Sequence, residues 1–406
     1  MAISSTTNDK ITGALMTVYL PYLLVQLNEK SGPLIKAIEA STFPVNPAPP
    51  RDLVFIMQYG RSGGIGARDE MDDLPEASSR LYRQGKANIK TLAGTIQLTE
   101  KLIRGTKNNP AALASELSTQ MKNLVTDLKD YLARNIVNGS SGIYGNVGTA
   151  VAASAVIPIA GNIEGFYEGQ VIDILTPGTP PVYAAQGIEI ITVDRVNKTI
   201  TVSIPVTAAA NDGITIHDSY TKELTGMNEI MTLDNVLFGV DRSVYKYFNP
   251  IMYNRSSGGS PSPFEPLWLK KALNDVEDRS SEPEAPKFFV CSRGVDMAYA
   301  ESQQIYKSNT EIKRVEGGYD VPTYNGVPVL SDKYWPENSM GLLNMNTFKL
   351  ARMDDGDDWH WMDRDGSILK QVANKAAYSA HMLRFCELIN LNPSANAMIK
   401  GIQEVA

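Results

Sequence analysis

The chain has 406 residues, 43% of them hydrophobic, a net charge of −7 and two distant cysteines, Cys291 and Cys386. That length carries a core divided over two or three domains, and the acidic balance excludes a tight duplex binder, which needs clustered Lys and Arg. Two isolated cysteines form no disulfide framework and suit a reducing compartment, while the polar start MAISSTTND is no secretion signal and the apolar run 14–27, broken by Pro21, is too short to span a bilayer.

Residues 1–52 begin polar and continue as the amphipathic stretch ALMTVYLPYLLVQLNEKSGPLIKAIEAS, with helical spacing interrupted at Pro21 and again at Gly32 and Pro33. FPVNPAPPRD then forces an extended linker. Such an arm is expected to lie on another surface, of its own chain or a neighbour's. LVFIMQ at 53–58 reads as a strand, and 59–85 as a loop rich in glycine and charge. The chain returns through ANIKTLAGTIQLT, where Leu92, Gly94, Ile96 and Leu98 alternate with polar residues. The sum is a long hairpin with a charged tip, and a two-stranded ribbon is marginal alone. It is expected to rest on another subunit.

The stretch NPAALASELSTQMKNLVTDLKDYLARNIVNG, 109–139, predicts one long helix. Asn109 is placed to cap it, with Pro110 at the first helical position. Leu113, Leu117, Met121, Leu124, Leu128, Leu132 and Ile136 recur at steps of three and four and share a face. Asp130 and Arg134 are spaced to pair on the polar side, and Asn138 and Gly139 supply the stop. SSGIYGNVGTAVAASAV then reads as a flexible connection. Alternating isoleucines and valines from 161 to about 220, with turns near 196–198 and 211–213, predict a compact all-β insert, a small barrel or sandwich. Residues from 222 read as an α/β block, with helices at LWLKKALNDVED and GVDMAYAESQQIYKSN, a strand at KFFVCS and a hairpin turn at Asn325 and Gly326. The C-terminal part, with WHWMDRDGSILKQV and YSAHMLRFCELINLNPSANAMIKGI, reads as long antiparallel strands.

Catalytic chemistry is hard to locate. His217 falls at a strand end, His360 sits between two tryptophans and His381 alternates within a strand, so all three are expected to be structural or exposed. There is no HExxH, no paired cysteine motif and no G-x-S-x-G. GRSGGIG matches neither a dinucleotide nor a Walker spacing. Asp354, Asp355, Asp357 and Asp358, with Asp363 to Gly366, lack the ligand pattern of a calcium loop and read as solvated turns, leaving open weak metal binding between subunits. A metal-dependent hydrolase using Asp354 to Asp365 with His360 is the enzymatic alternative, without a nucleophile or base to accompany the acids. No metal and no cofactor are expected. The loop-tip charges Arg61, Arg68, Asp69, Glu70, Arg80 and Arg83 are candidates for contacts across a subunit boundary, where such pairs set register.

The order of these stretches resembles one family, the major capsid proteins of tailed bacteriophages with the Hong Kong ninety-seven fold. The resemblance is carried by GIGARDEMDDLPEASS, the helix with its approach AGTIQLTEKLIRGTK, VEGGYDVPTYNGVPVLSDKYWP, W-x-W-x-x-x-DGSIL and CELINLNPSANAMIKGI, in that order over most of 53–402. It implies an α+β phage capsid fold: an N-terminal arm at 1–52 and an extended β-hairpin loop at 53–93. A peripheral domain at 94–160 and 345–406 would hold a spine helix at 109–138, with the last strand free to join the axial domain. An inserted small all-β domain would occupy 161–221, and an axial α/β domain 222–344. The implied function is structural: hexamers and pentamers closing an icosahedral head around double-stranded DNA in the virion, assembled in the host cytoplasm. Its implied partners are further copies of itself, a portal protein, possible separate scaffold and decoration proteins and, non-specifically, the packaged DNA, with no membrane. A nanocompartment shell shares the fold. Covalent cross-linking, which needs a loop lysine, a partner asparagine and an activating carboxylate brought together in space, is not supported: Lys86 and Lys90 are present but ordinary.

Overall fold

A computed structural model describes Leu34, Ile38 and residues 42–44, 52–59, 64–69, 73, 76, 81–101, 110–178, 180–279, 287–305, 312–315, 319–353, 359–362 and 370–405. The predicted helix is there: α1 spans Pro110–Asn138, 29 residues, or roughly 43 Å at the rise of an α-helix. Its capping candidate Asn109 and the side chains of Leu113 and Leu117 lie outside the described residues. Met121, Val125, Leu128, Leu132 and Ile136 are buried, with Leu124 half-buried beside them. The stripe therefore turns slightly from the one the leucines alone predict, because 3.6 residues per turn brings Val125 under the helix.

That stripe lies on a six-stranded sheet. Thr42–Pro44 runs parallel to Phe348–Arg352, which pairs antiparallel with the long strand Ala377–Asn390. The long strand also pairs with His360–Trp361, Lys370–Gln371 and Lys90–Thr99. On Lys90–Thr99 the alternation holds: Leu92, Ile96 and Leu98 are buried. Gly94 shares their face, and a Cβ there would stand 2.9 Å from Leu124 Cδ1 and 3.0 Å from Leu128 Cδ1. The helix crosses the sheet closely enough there that a larger residue would have to displace the Leu124 and Leu128 side chains.

The all-β insert is a closed six-stranded barrel with its own core. It is larger than predicted. Ile143–Val147 and Val151–Ala160, expected as a flexible connection and as part of the peripheral domain, are two of its staves. The others are Val171–Thr176, Val182–Asp194, Thr199–Ala208 and Gly213–Ile216. The turns predicted near 196–198 and 211–213 carry Lys198 and Asn211 at φ of +50° and +69°.

A seven-stranded sheet runs in the order Ile251–Asn254, Ala397–Lys400, Ser339–Asn344, Lys287–Cys291, Val327–Ser331, Tyr319–Tyr324, Ile312–Val315. The short helix α2 at Met227–Ile230 follows the barrel. Residues from Leu224 to Phe248 join the core under α1, which also takes in Val290, Leu343 and Met398 of the seven-stranded sheet. Helices α3 at Leu267–Arg279 and α4 at Arg293–Ile305 lie with the seven-stranded sheet, burying Leu269, Val276, Val295 and Tyr299 in a separate core. Ala397–Lys400, next to the C-terminus, enters this sheet beside Ile251–Asn254.

Leu128→Asp places a charge under α1 against the sheet, a cost of several kcal/mol that exceeds most of a domain's margin. The variant is expected to lose the cooperative melt seen by circular dichroism. Lys122→Gln on the exposed side should shift it by no more than about 0.5 kcal/mol.

Candidate functional site: the hairpin and the barrel junction

The hairpin pairs Asp52–Tyr59 with Leu81–Asn88, Phe55 facing Gly85 and Ile56 facing Gln84. Its inner face is not free. Leu53, Phe55 and Met57 are buried against the segment that follows the barrel, with Phe55 edge-on to Phe238 and Tyr59 against Phe248. Lys86 N–H donates to Phe238 O at 2.8 Å. The expectation of a ribbon with little packing of its own is corrected for this part: one face rests on its own chain. The outer face presents Val54, Ile56 and Tyr82, exposed at 48, 65 and 60%. By register Ile56 and Tyr82 are diagonal neighbours there.

The six charged candidates separate accordingly. Arg83 lies on the inner face, half-buried, with its guanidinium 4.0 Å from the centre of the Tyr245 ring. Arg68 and Asp69 are exposed. Arg61, Glu70 and Arg80 lie outside the described residues, as do Asp354, Asp355, Asp357, Asp358 and Asp363 to Gly366. Of the two lysines, Lys86 is exposed and Lys90 donates to Thr221 O at 3.1 Å.

A second constellation, absent from the sequence reading, joins the barrel to the body. Arg134 does not pair with Asp130. It is buried and donates to Glu223 and, at 2.8 Å, to Ile143 O, while its guanidinium lies 3.3 Å from the centre of the Tyr144 ring. Burial pushes the Glu223 carboxyl up and the Arg134 charge pulls it back. Burial also lifts the Tyr131 phenol to about 12. Asp130 instead takes Lys333 Nζ at 3.0 Å and Tyr167 OH at 3.2 Å. Close by, Glu387 of the long strand accepts from Thr225 N at 2.6 Å and Leu388 N at 3.1 Å. Burial drives the Glu387 carboxyl up to about 7, against the opposing pull of those amides and of Lys90. An isolated Arg or Glu at these positions carries no periodic signal that sets it apart from a solvated one. The apolar run LVFIMQ did hold a signal for the hairpin, since a strand buried on one face only would alternate.

His381 bonds hydroxyls at both ring nitrogens, Thr95 at 2.9 Å and Ser379 at 3.1 Å. His360 lies against Phe385, ring centres 5.3 Å apart. His217 meets two carboxylates, and Asp173, His217 and Asp218 bring three donor atoms within 4.8 Å of one another. Among the described residues no helix is long and apolar enough to cross a membrane.

No family model matches the chain, and no curated protein matches it. Solved structures do. The Cyanophage A-1(L) capsid asymmetric unit aligns with a TM-score of 0.57 at 9% identity, over 92% of this chain and 93% of that one. The capsid of the native GTA particle aligns at 0.47 and 10% identity, over 90% of each chain. The SrpI encapsulin of Synechococcus elongatus aligns at 0.43 and 11% identity, over 100% of this chain and 99% of that one. The likeness to the cyanophage protein is one of fold: this is a mixed α and β chain built, nearly end to end, on the plan of a phage capsid subunit. The two scores below 0.5 add nothing to that.

Two expectations follow. Arg134→Met strands the Glu223 carboxylate, which is 1% exposed, and should cost about 3–5 kcal/mol in denaturant melts. Adding Glu223→Leu should recover most of that loss. For Glu387, the folded carboxyl titrates near 7 and the unfolded one in the ordinary glutamate range. Its contribution is therefore fully present below the unfolded value and lost as pH rises towards 7, a change of roughly 3 kcal/mol. Glu387→Gln keeps the acceptor for Thr225 and removes the titration. The wild type should lose stability relative to this variant between pH 5 and pH 8, as read by paired melts.

Proposed function

We propose that this chain is a structural shell subunit, the major capsid protein of a tailed bacteriophage, forming hexamers and pentamers of an icosahedral head around double-stranded DNA. The observation that carries the reading is the fold likeness to a cyanophage capsid subunit over nine tenths of both chains. The hairpin supports it. Its inner face is fixed to its own chain while Val54, Ile56 and Tyr82 are left in water on the outer one. An adjacent copy covers that face, and closed symmetry repeats the contact around the shell. Obligate contacts of this kind bury on the order of 2,000–5,000 Å². Arg68 and Asp69, with Arg61, Glu70 and Arg80, set register at or near the contact rather than its strength. The mildly acidic chain lines a container without clamping its DNA. Portal, scaffold and decoration proteins are the further partners of such a subunit, and its place is the virion.

Negative-stain electron microscopy of the expressed protein, with and without co-expressed scaffold, should show capsomers or closed shells. A monodisperse monomer at high concentration under every assembly condition would sink the reading, and shells filled with protein cargo would move it to a nanocompartment. Ile56→Asp should abolish shells while moving the melt of the monomer by no more than about 0.5 kcal/mol.

A further inference from the structure

At the foot of the barrel, Asp173 projects from the strand Val171–Thr176 and is 1% exposed. His217 and Asp218 follow directly on the neighbouring stave Gly213–Ile216, whose Ile216 faces Ile172. Asp173 Oδ1 accepts from Gly187 N at 2.8 Å and holds His217 Nδ1 at 2.8 Å, while Oδ2 accepts from Asp218 N at 2.9 Å. A carboxylate that takes the Nδ1 proton fixes the tautomer of the ring and leaves the Nε2 lone pair to bind a metal, the arrangement by which outer carboxylates orient metal-ligating histidines.

That lone pair has a second donor beside it. His217 Nε2 stands 3.5 Å from Asp218 Oδ2, longer than a charge-assisted hydrogen bond. Two ligands of a tetrahedral ion with bonds of 2.0–2.1 Å lie about 3.4 Å apart. The pair is spaced as two corners of such a coordination sphere. Both residues line a cavity of about 660 Å³ between the barrel and α1, whose wall also carries Asp127, Asp130 and Glu168. Arg134 on that wall is paired with Glu223, and Asp130 with Lys333. Asp127, Glu168 and Asp218 then stand against Lys222, a balance that favours a cation, and the open side leaves room for water at the remaining positions.

An independent observation lies next to the cluster. Thr215 is directly opposite Asp173 in the strand register, so the two side chains share a face. Its hydroxyl is fully buried, with no hydrogen-bond partner among the described residues.

We propose that His217 and Asp218 form a site for a divalent transition-metal ion of the zinc class, with Asp173 as the residue that orients His217. One imidazole and one carboxylate, completed by water, suit zinc over magnesium or calcium, which select all-oxygen sets. The inference stands apart from the shell reading, since it concerns the barrel of one subunit.

Isothermal titration of the full chain with zinc chloride at pH 7.5, in a buffer that does not chelate, tests it. One saturable site per chain is expected, with magnesium chloride giving no heat. His217→Ala and Asp218→Asn, both at exposed positions, should each weaken zinc by tenfold or more, with circular dichroism unchanged. Asp173→Asn should weaken it 10–100-fold. No saturable zinc heat in the wild type, or an affinity left unchanged by both His217→Ala and Asp218→Asn, overturns the proposal.

Discussion

One buried ion pair, Arg134 to Glu223, holds the place where the chain leaves the body of the molecule and the place where it returns. Arg134 is in the last turns of α1, Ile143 and Tyr144 open the barrel, and Glu223 follows its exit. A planar guanidinium with five donors can hold a carboxylate and a carbonyl at once and stack on a ring; an ammonium cannot. The same knot is closed from the other side by Glu387, which takes the Thr225 amide and so ties the returning strand of chain to the long strand of the sheet. Two buried carboxylates are a poor way to gain stability. What they fix is geometry: an insert of some dozens of residues enters and leaves at one point on the end of a long helix.

That geometry matters because little else seats the barrel. Its core is its own, sharing no buried apolar residue with the other two. Its other contacts with the body are polar: Tyr167 with Asp130 and Lys333, Asn162 with the Lys333 carbonyl, Lys198 with Glu337, and Glu164 with Arg293. Exposed pairs of this kind contribute little each and are screened by salt. The barrel is thus a stiff body on a narrow, well-defined stem, and its orientation to α1 is set at the stem.

How far the sequence revealed this depends on what kind of signal each part leaves. Periodicity made α1, the alternating strand Lys90–Thr99 and most of the barrel legible, because burial on one face imposes a repeat. Ile143–Val147 and Val151–Ala160 were hidden by their small residues, which read as a connection, although alanines and serines fill a stave as well as valines do where space is short. That Leu224 to Phe248 pack into the core under α1 was not legible for a different reason: which core an apolar segment joins is decided by chain topology, to which local pattern is blind. Arg134 was misread because the i, i+4 spacing to Asp130 offered a ready partner. A weak helical pair, worth a few tenths of a kcal/mol, yields to a buried one that nothing local announces. The pairing of His217 with Asp173, 44 residues apart, is of the same kind.

The hairpin poses the opposite problem, because its sequence offers too much. Leu53, Val54, Phe55, Ile56 and Met57 are apolar on both faces, so alternation does not choose which side faces inward, and a slip of one residue would exchange the faces with little change in hydrophobic gain. The choice is made by shape. Phe55 lies over Gly85, where a Cβ would stand 2.7 Å from its ring. A slip would set a side chain in that space. The Lys86 amide bond to Phe238 and the stacking of Arg83 on Tyr245 lock the same register from the flank. With the inner face decided, Val54, Ile56 and Tyr82 are held outward at a fixed angle before any neighbour arrives. An apolar face ordered in advance gives up less freedom on binding than a loose ribbon would, which is how a surface a single chain leaves uncovered becomes one that many identical chains can cover in the same way.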